Sequence, residues 1–183
     1  MTYTIERVEL LRAAIAVLPD KTEIREYLRG LYLNFETGEV VSTDGHRLLI
    51  APLFDPQDGP RAPQILGFVG KNPTIPKSAD RVLLDTDAGT FTVYRKSEVL
   101  AVHSYRVIVG QYPDYSRVVS SYNPRGAAVS DFGINPQYLA DVQKALGVYG
   151  VKISPRVNAD SIVKVEFGKD YLDLSYYIMP MRT

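Results

Sequence analysis

The chain has 183 residues, room for one domain or about one and a half. It has no cysteine and only two histidines, His46 and His103, which excludes disulfides and thiolate metal sites and leaves too few ligands for most zinc sites. Lys and Arg balance Asp and Glu at 21 each, so whole-chain charge does not advertise nucleic-acid binding.

At the N-terminal end, Val8, Leu11, Ile15 and Leu18 recur at helical spacing, and Pro19 stops the run, so residues 7–18 are expected to be a helix. Strands are expected over 27–36 and 39–43, joined by a Thr37-Gly38 turn, and over 46–53 after an Asp44-Gly45 turn. Residues 55–63, rich in proline, form a loop, and 64–69 a short strand. Residues 71–78 carry two prolines and read as irregular. Residues 81–85, 90–95 and 99–109 are rich in β-branched and aromatic side chains and read as strands. The segment 120–126 is the expected boundary between a unit at 1–119 and one at 127–183.

A strand is expected over 127–134. Asn135-Pro136 then starts a helix, with Asn as cap and Pro in the first turn, running to Leu146 before Gly147. Its apolar stripe is Leu139, Val142 and Leu146. Strands near 150–154, 161–167 and 171–178 finish the chain. A helix followed by a meander, used twice with extra strands between, is an α+β pattern with antiparallel sheet. The chain carries no signal-peptide pattern and no apolar run long enough to span a membrane, so a cytoplasmic protein is expected.

The C-terminal end stands out. Met179-Pro180-Met181-Arg182 follows directly on an aromatic, apolar strand. Methionine suits sites that accept varied apolar side chains. Four segments recur together: Ser42-Thr43-Asp44-Gly45-His46-Arg47-Leu48, Tyr112-Pro113-Asp114-Tyr115, Ile134 to Val142, and Tyr177 to Arg182. Taken singly, Asp44-Gly45 and Pro113-Asp114 are turns, Tyr138 is helix packing and His46 is a turn histidine. In combination and in order, they resemble the bacterial DNA polymerase III beta subunit, the sliding clamp. Residues 1–119 resemble the middle domain of that family and residues 127–183 the end of its last domain. The family's first domain and the front half of its third have no counterpart, and 71–78 stands where the family has a helix.

The resemblance implies a DNA-clamp-like fold and a processivity role without catalysis, metal or cofactor. It implies a hydrophobic cleft that takes a Gln-Leu-x-Leu-Phe-like motif of a DNA polymerase or clamp loader. Leu28, Thr43, Gly45, His46, Arg47 and Leu48 match one wall, Pro113 and Val118 the floor, Asn135 and Tyr138 the second wall, and Met179, Pro180, Met181 and Arg182 the rim. Arg25 and Tyr27 match positions near DNA. It implies also a homo-oligomeric ring around duplex DNA, although the two helices present nearly balanced charge. The alternative is a cleft-only module that binds clamp-interacting peptides without a ring. A hydrolase built on His46 and Asp114 is disfavoured, because no nucleophile elbow, Walker loop or metal-ligand cluster is present.

Overall fold

In the computed structural model, residues 1–56, 62–122, 132–154 and 162–181 are described. Strand β1 (Thr2–Ile5) leads into helix α1 (Val8–Val17), then β2 (Leu31–Asn34), β3 (Glu39–Thr43) and β4 (Arg47–Pro52). Next come β5 (Gln64–Phe68), β6 (Arg81–Asp85), β7 (Thr90–Arg95) and β8 (Glu98–Ile108). Helix α2 (Ser116–Ser121) and helix α3 (Pro136–Leu146) precede β9 (Lys152–Ile153), β10 (Val163–Glu166) and β11 (Ser175–Ile178).

The long strand expected at 27–36 is broken. Glu26–Arg29 forms a 3-10 turn, and the strand begins only after Gly30. The reason is steric. A Cβ at Gly30 would lie 2.7 Å from Ile65 Cγ2 and 3.0 Å from the Leu66 carbonyl carbon, so the chain must be bare where it meets β5. The last strand is shortened in the same way by a 3-10 turn at Lys169–Tyr171. Two elements had no counterpart in the sequence reading. β1 alternates Tyr3 and Ile5 inward with Thr2 and Thr4 outward, over too few residues to show a period. α2 begins where the Asp114 carboxylate accepts the Ser116 backbone N–H at 3.2 Å. Of the strand expected at 127–134, residues 127–131 lie outside the described residues, and Gly133 forms a single bridge to Met181. Residues 57–61 of the expected 55–63 loop also lie outside them.

The strands form one antiparallel sheet in the order β1-β6-β7-β8-β5-β2-β3-β4-β11-β10-β9. Two meanders, β2-β3-β4 and β6-β7-β8, interlock by exchanging their leading strands: β1 pairs with β6, and β5 pairs with β2. The third meander joins through β4 and β11, with Arg47 opposite Ile178 and Ile50 opposite Ser175.

Strand alternation sends neighbouring residues to opposite faces, and both faces of the central strands are covered. Val40, Leu49, Leu66 and Tyr176 join α1 and α3 in the main core. Val41, Leu48, Ile65 and Tyr177 join Ile108, Tyr112 and Ile162 in a second cluster on the other face, against which Val118 and Val119 of α2 pack. This double burial explains why these strands read as apolar runs rather than clean alternations.

Candidate functional site

The turn between β3 and β4 is held by its own side chains. Thr43 Oγ1 donates to the Arg47 carbonyl at 2.6 Å and accepts from the Gly45 N–H at 3.0 Å. Asp44 Oδ1 accepts from the N–H groups of His46 and Arg47 at 2.9 and 3.0 Å. Gly45 has φ +91°, where a side chain would be strained, and a Cβ there would lie 3.1 Å from an Arg25 guanidinium nitrogen. Arg25 in turn is clasped by the two Glu23 carboxylate oxygens, each at 2.8 Å. That clasp, mainly its side-chain hydrogen bonds, holds the Glu23 carboxyl at about 2.

Arg47 faces the other way, into the protein. Its Nε binds Asp44 and its Nη1 binds Asp141 of α3, both at 2.8 Å. Its Nη2 donates to the Ala16 carbonyl of α1 at 3.1 Å. The guanidinium lies 4.7 Å from the Tyr138 ring centroid. Burial works against its charge, but Tyr176, Asp141 and Asp44 more than offset this, and the pKa is raised. One buried cation therefore ties the β3–β4 turn to both main helices.

The tail after β11 is pinned at two points. The Met179 N–H donates to the His46 carbonyl and the Met181 N–H to the Gly133 carbonyl, both at 2.8 Å. Both methionine side chains stay outside, with Met179 44% and Met181 57% exposed. Backbone anchoring with exposed, flexible side chains sets a rim that can adapt without moving. Tyr138 stacks on His46 with ring centroids 6.5 Å apart and planes 15° apart. Its carbonyl accepts from the Tyr176 hydroxyl at 2.9 Å.

Between the turn, the tail and α2 lies a depression of about 70 Å³. Thr43, Gly45, His46, Arg47, Leu48, Val118 and Met179, all singled out from the sequence, line it. Ile162, Tyr177 and Ile178 line it as well and were missed. Tyr177 and Ile178 were visible as alternating strand residues, but nothing local shows which face of that strand meets solvent. The Tyr122 ring meets the Tyr177 ring edge-on, with centroids 5.9 Å apart. The volume is well below the ~300–1,000 Å³ of enclosed small-molecule sites. It suits one or two side chains of an extended peptide lying across the surface.

The remaining expected residues fall around this depression or away from it. Asn135 caps α3, its side chain accepting the Gln137 N–H at 3.0 Å. Pro180 is half-buried between the two tail anchors, and Pro113 is exposed beyond the lining. Leu28 is buried, with 2% exposure, and presents nothing to a ligand. Arg182 lies outside the described residues. Of the two residues matched to DNA contact, Arg25 sits against the Gly45 turn, and Tyr27 packs on the second cluster.

A wider trough of about 440 Å³ runs between α1, α3 and the segment 73–77. Its apolar floor includes Ile15, Ile75 and Ala145, and Lys77 and Lys144 stand on its rim. Arg12, also there, is spent on the Ala145 and Pro76 carbonyls, at 3.3 and 3.1 Å. Among the described residues, no group of three or more His, Cys, Asp or Glu side chains is placed to hold a metal ion. No helix among them is long and apolar enough to cross a membrane.

Interlocked helix-and-meander units, with the helices paired on one face, define the chain as a DNA-clamp fold in shortened form. Solved bacterial sliding clamps share it. The DNA polymerase III subunit beta of Pseudomonas aeruginosa matches all of this chain over 67% of its own length, with TM-score 0.63 and 19% identity. The Bacillus subtilis sliding clamp matches with TM-score 0.63 at 14% identity, over 64% of its length. A Pseudomonas aeruginosa clamp bound to griselimycin matches with TM-score 0.60 at 18% identity, over 66% of its length. The chain thus spans about two thirds of the length of these clamps. No protein-family model and no curated protein matches the sequence, so the likeness is one of fold, carried by topology rather than identity.

Proposed function

We propose that this chain is a sliding-clamp-like processivity factor that docks replication proteins in the depression between the β3–β4 turn, α2 and the Met179–Met181 tail. In this reading residues 1–119 act as a clamp middle domain and 127–183 as the end of a last domain. The observation that carries it is the convergence of three segments far apart in the chain on one small apolar depression with a backbone-anchored methionine rim. Leu48, Val118, Ile162 and Tyr177 supply apolar wall for a leucine or aromatic anchor. His46 and the Thr43–Gly45 backbone supply polar groups at its edge. The partner is a Gln-Leu-x-Leu-Phe-like segment of a DNA polymerase or clamp loader. The protein is cytoplasmic, performs no chemistry of its own and holds duplex DNA as a homo-oligomer.

The test is a fluorescence-anisotropy titration with a labelled Gln-Leu-x-Leu-Phe peptide. Micromolar binding is expected, weakened at least tenfold by Val118→Glu or by Met179→Glu with melting temperature preserved. Equal binding by wild type and both variants would sink the cleft.

A second reading, the cleft-only module without a ring, is favoured by the state of the cations. Arg7 is paired with Asp173, Arg25 with Glu23, and Arg12 with carbonyl groups. Few remain to grip phosphate, and each phosphate contact contributes about 0.9 to the salt slope of binding. Retention on closed circular but not linear duplex DNA supports the ring. Equal release from both supports the module.

A further inference from the structure

The closing strands of the two interlocked meanders stand in different positions. β4 closes the first, and its outer edge is covered by β11. β8 closes the second. Its residues 98–104 pair with β7 on one side. On the other side β5 pairs with β8 only from Tyr105 to Ile108, and the Val69 N–H reaches the Ser104 carbonyl at 3.0 Å. Among the described residues, nothing pairs with that second edge over 98–103. The run Val99-Leu100-Ala101-Val102-His103 has no Lys, Pro or carboxylate to blunt it, and Val99 and Val102 are 51% and 57% exposed. Open, apolar edges of this kind recruit another strand.

We propose that this edge is a homodimer interface, in which the β8 strands of two copies pair antiparallel through residues 98–103 about a two-fold axis near Ala101. Three observations point to a second copy. First, the β4–β11 junction shows that this fold extends its sheet from the equivalent strand of its other meander. Second, opposite charges flank the run, Glu98 at one end and Arg106 at the other. Antiparallel self-pairing brings Glu98 of each copy toward Arg106 of the other. Arg106 is free to take part, since its side chain is 65% exposed and its ion pair with Glu26 is long, at 3.7 Å.

Third, head-to-tail pairing would need a complementary edge of similar length. The strands at the two ends of the sheet, β1 and β9, have only four and two residues. An isologous pair closes on itself and needs no such mate. A β-bulge opposite Val93 and Tyr94 bends β8 and keeps the paired run short. The dimer is therefore weak, well under the ~1,200–2,000 Å² buried in a standard stable interface. The interface lies three strands away from β4 and the cleft, and stands whether or not the cleft binds peptide.

The test is sedimentation velocity on the full chain from micromolar to near-millimolar concentration. A monomer–dimer equilibrium is expected. Val102→Lys should weaken it at least tenfold with the melting temperature unchanged. Glu98→Arg should weaken it too, and adding Arg106→Glu should restore it. Thr4→Lys on β1 should leave it intact. A wild type monomeric at every concentration, a growing ladder of higher oligomers, or a Val102→Lys protein that dimerises as well as wild type each overturns the proposal. Should Val102→Lys misfold, amide hydrogen exchange on the wild type decides. Protection of residues 98–103 must rise with concentration, and flat protection overturns the proposal.

Discussion

Arg47 has every arm of its guanidinium engaged, with partners 3, 94 and 31 residues away in the chain. Its position beside the Asp44-Gly45 turn was legible, because Asp, Gly and His in series mark a turn on which side chains are displayed. Its burial was not. The sequence suggests a hydrogen-bond donor for a peptide, whereas the structure gives the side chain to α1, α3 and the turn. Removing it leaves Asp44 and Asp141 without their cation and opens both helix contacts. Arg47→Met is expected to cost about 3 kcal/mol, a fall in melting temperature of about 6–12 °C for a chain of this size. A shift under about 2 °C in calorimetry would show that the cross-link is not what holds the turn to the helices.

Elements whose signals are local were read well, and those whose limits are set by contact were not. α3 announces itself with Asn135, Pro136 and a terminal Gly147, and the structure places cap, first turn and end where these residues stand. Asn135→Ala is expected to cost about 1 kcal/mol through the lost cap, measurable as a lower urea midpoint with unchanged slope. By contrast, β2 starts late because Gly30 touches β5, a contact invisible to any window along the chain.

The turn at 23–25 is local too. Glu23 titrates at about 2 instead of its ordinary 4.5, held down by Arg25. Because the folded value is the lower one, the clasp's contribution is complete above about pH 4.5 and is lost as pH falls through about 2. An NMR titration of the Glu23 carboxyl carbon should show that low midpoint. A midpoint near 4.5 would mean the clasp does not persist in solution.

At the scale of the molecule, residues from both sides of the expected boundary at 120–126 share one core. Leu49 and Val40 lie with Val142, Val165 and Ile178 in it, and β4 and β11 are hydrogen-bonded neighbours. Unfolding is accordingly expected to be a single transition, with far-ultraviolet circular dichroism and near-ultraviolet tyrosine signals coincident in denaturant. Two resolved transitions would show that residues 1–119 and 127–183 unfold separately.

The sequence by itself determined the kind of elements, their order and the segments with chemistry worth following. Turn residues, caps and hydrophobic period are short-range signals that act within a few positions. Only the tertiary structure decided that β1 and β5 exchange places between the meanders, that Arg47 is buried while Met179 and Met181 are not, and that Ile162 and Tyr177 complete the depression. Those outcomes depend on which strand edges meet and which face each strand turns outward. They are settled by contacts between residues tens of positions apart, for which a linear pattern carries no period.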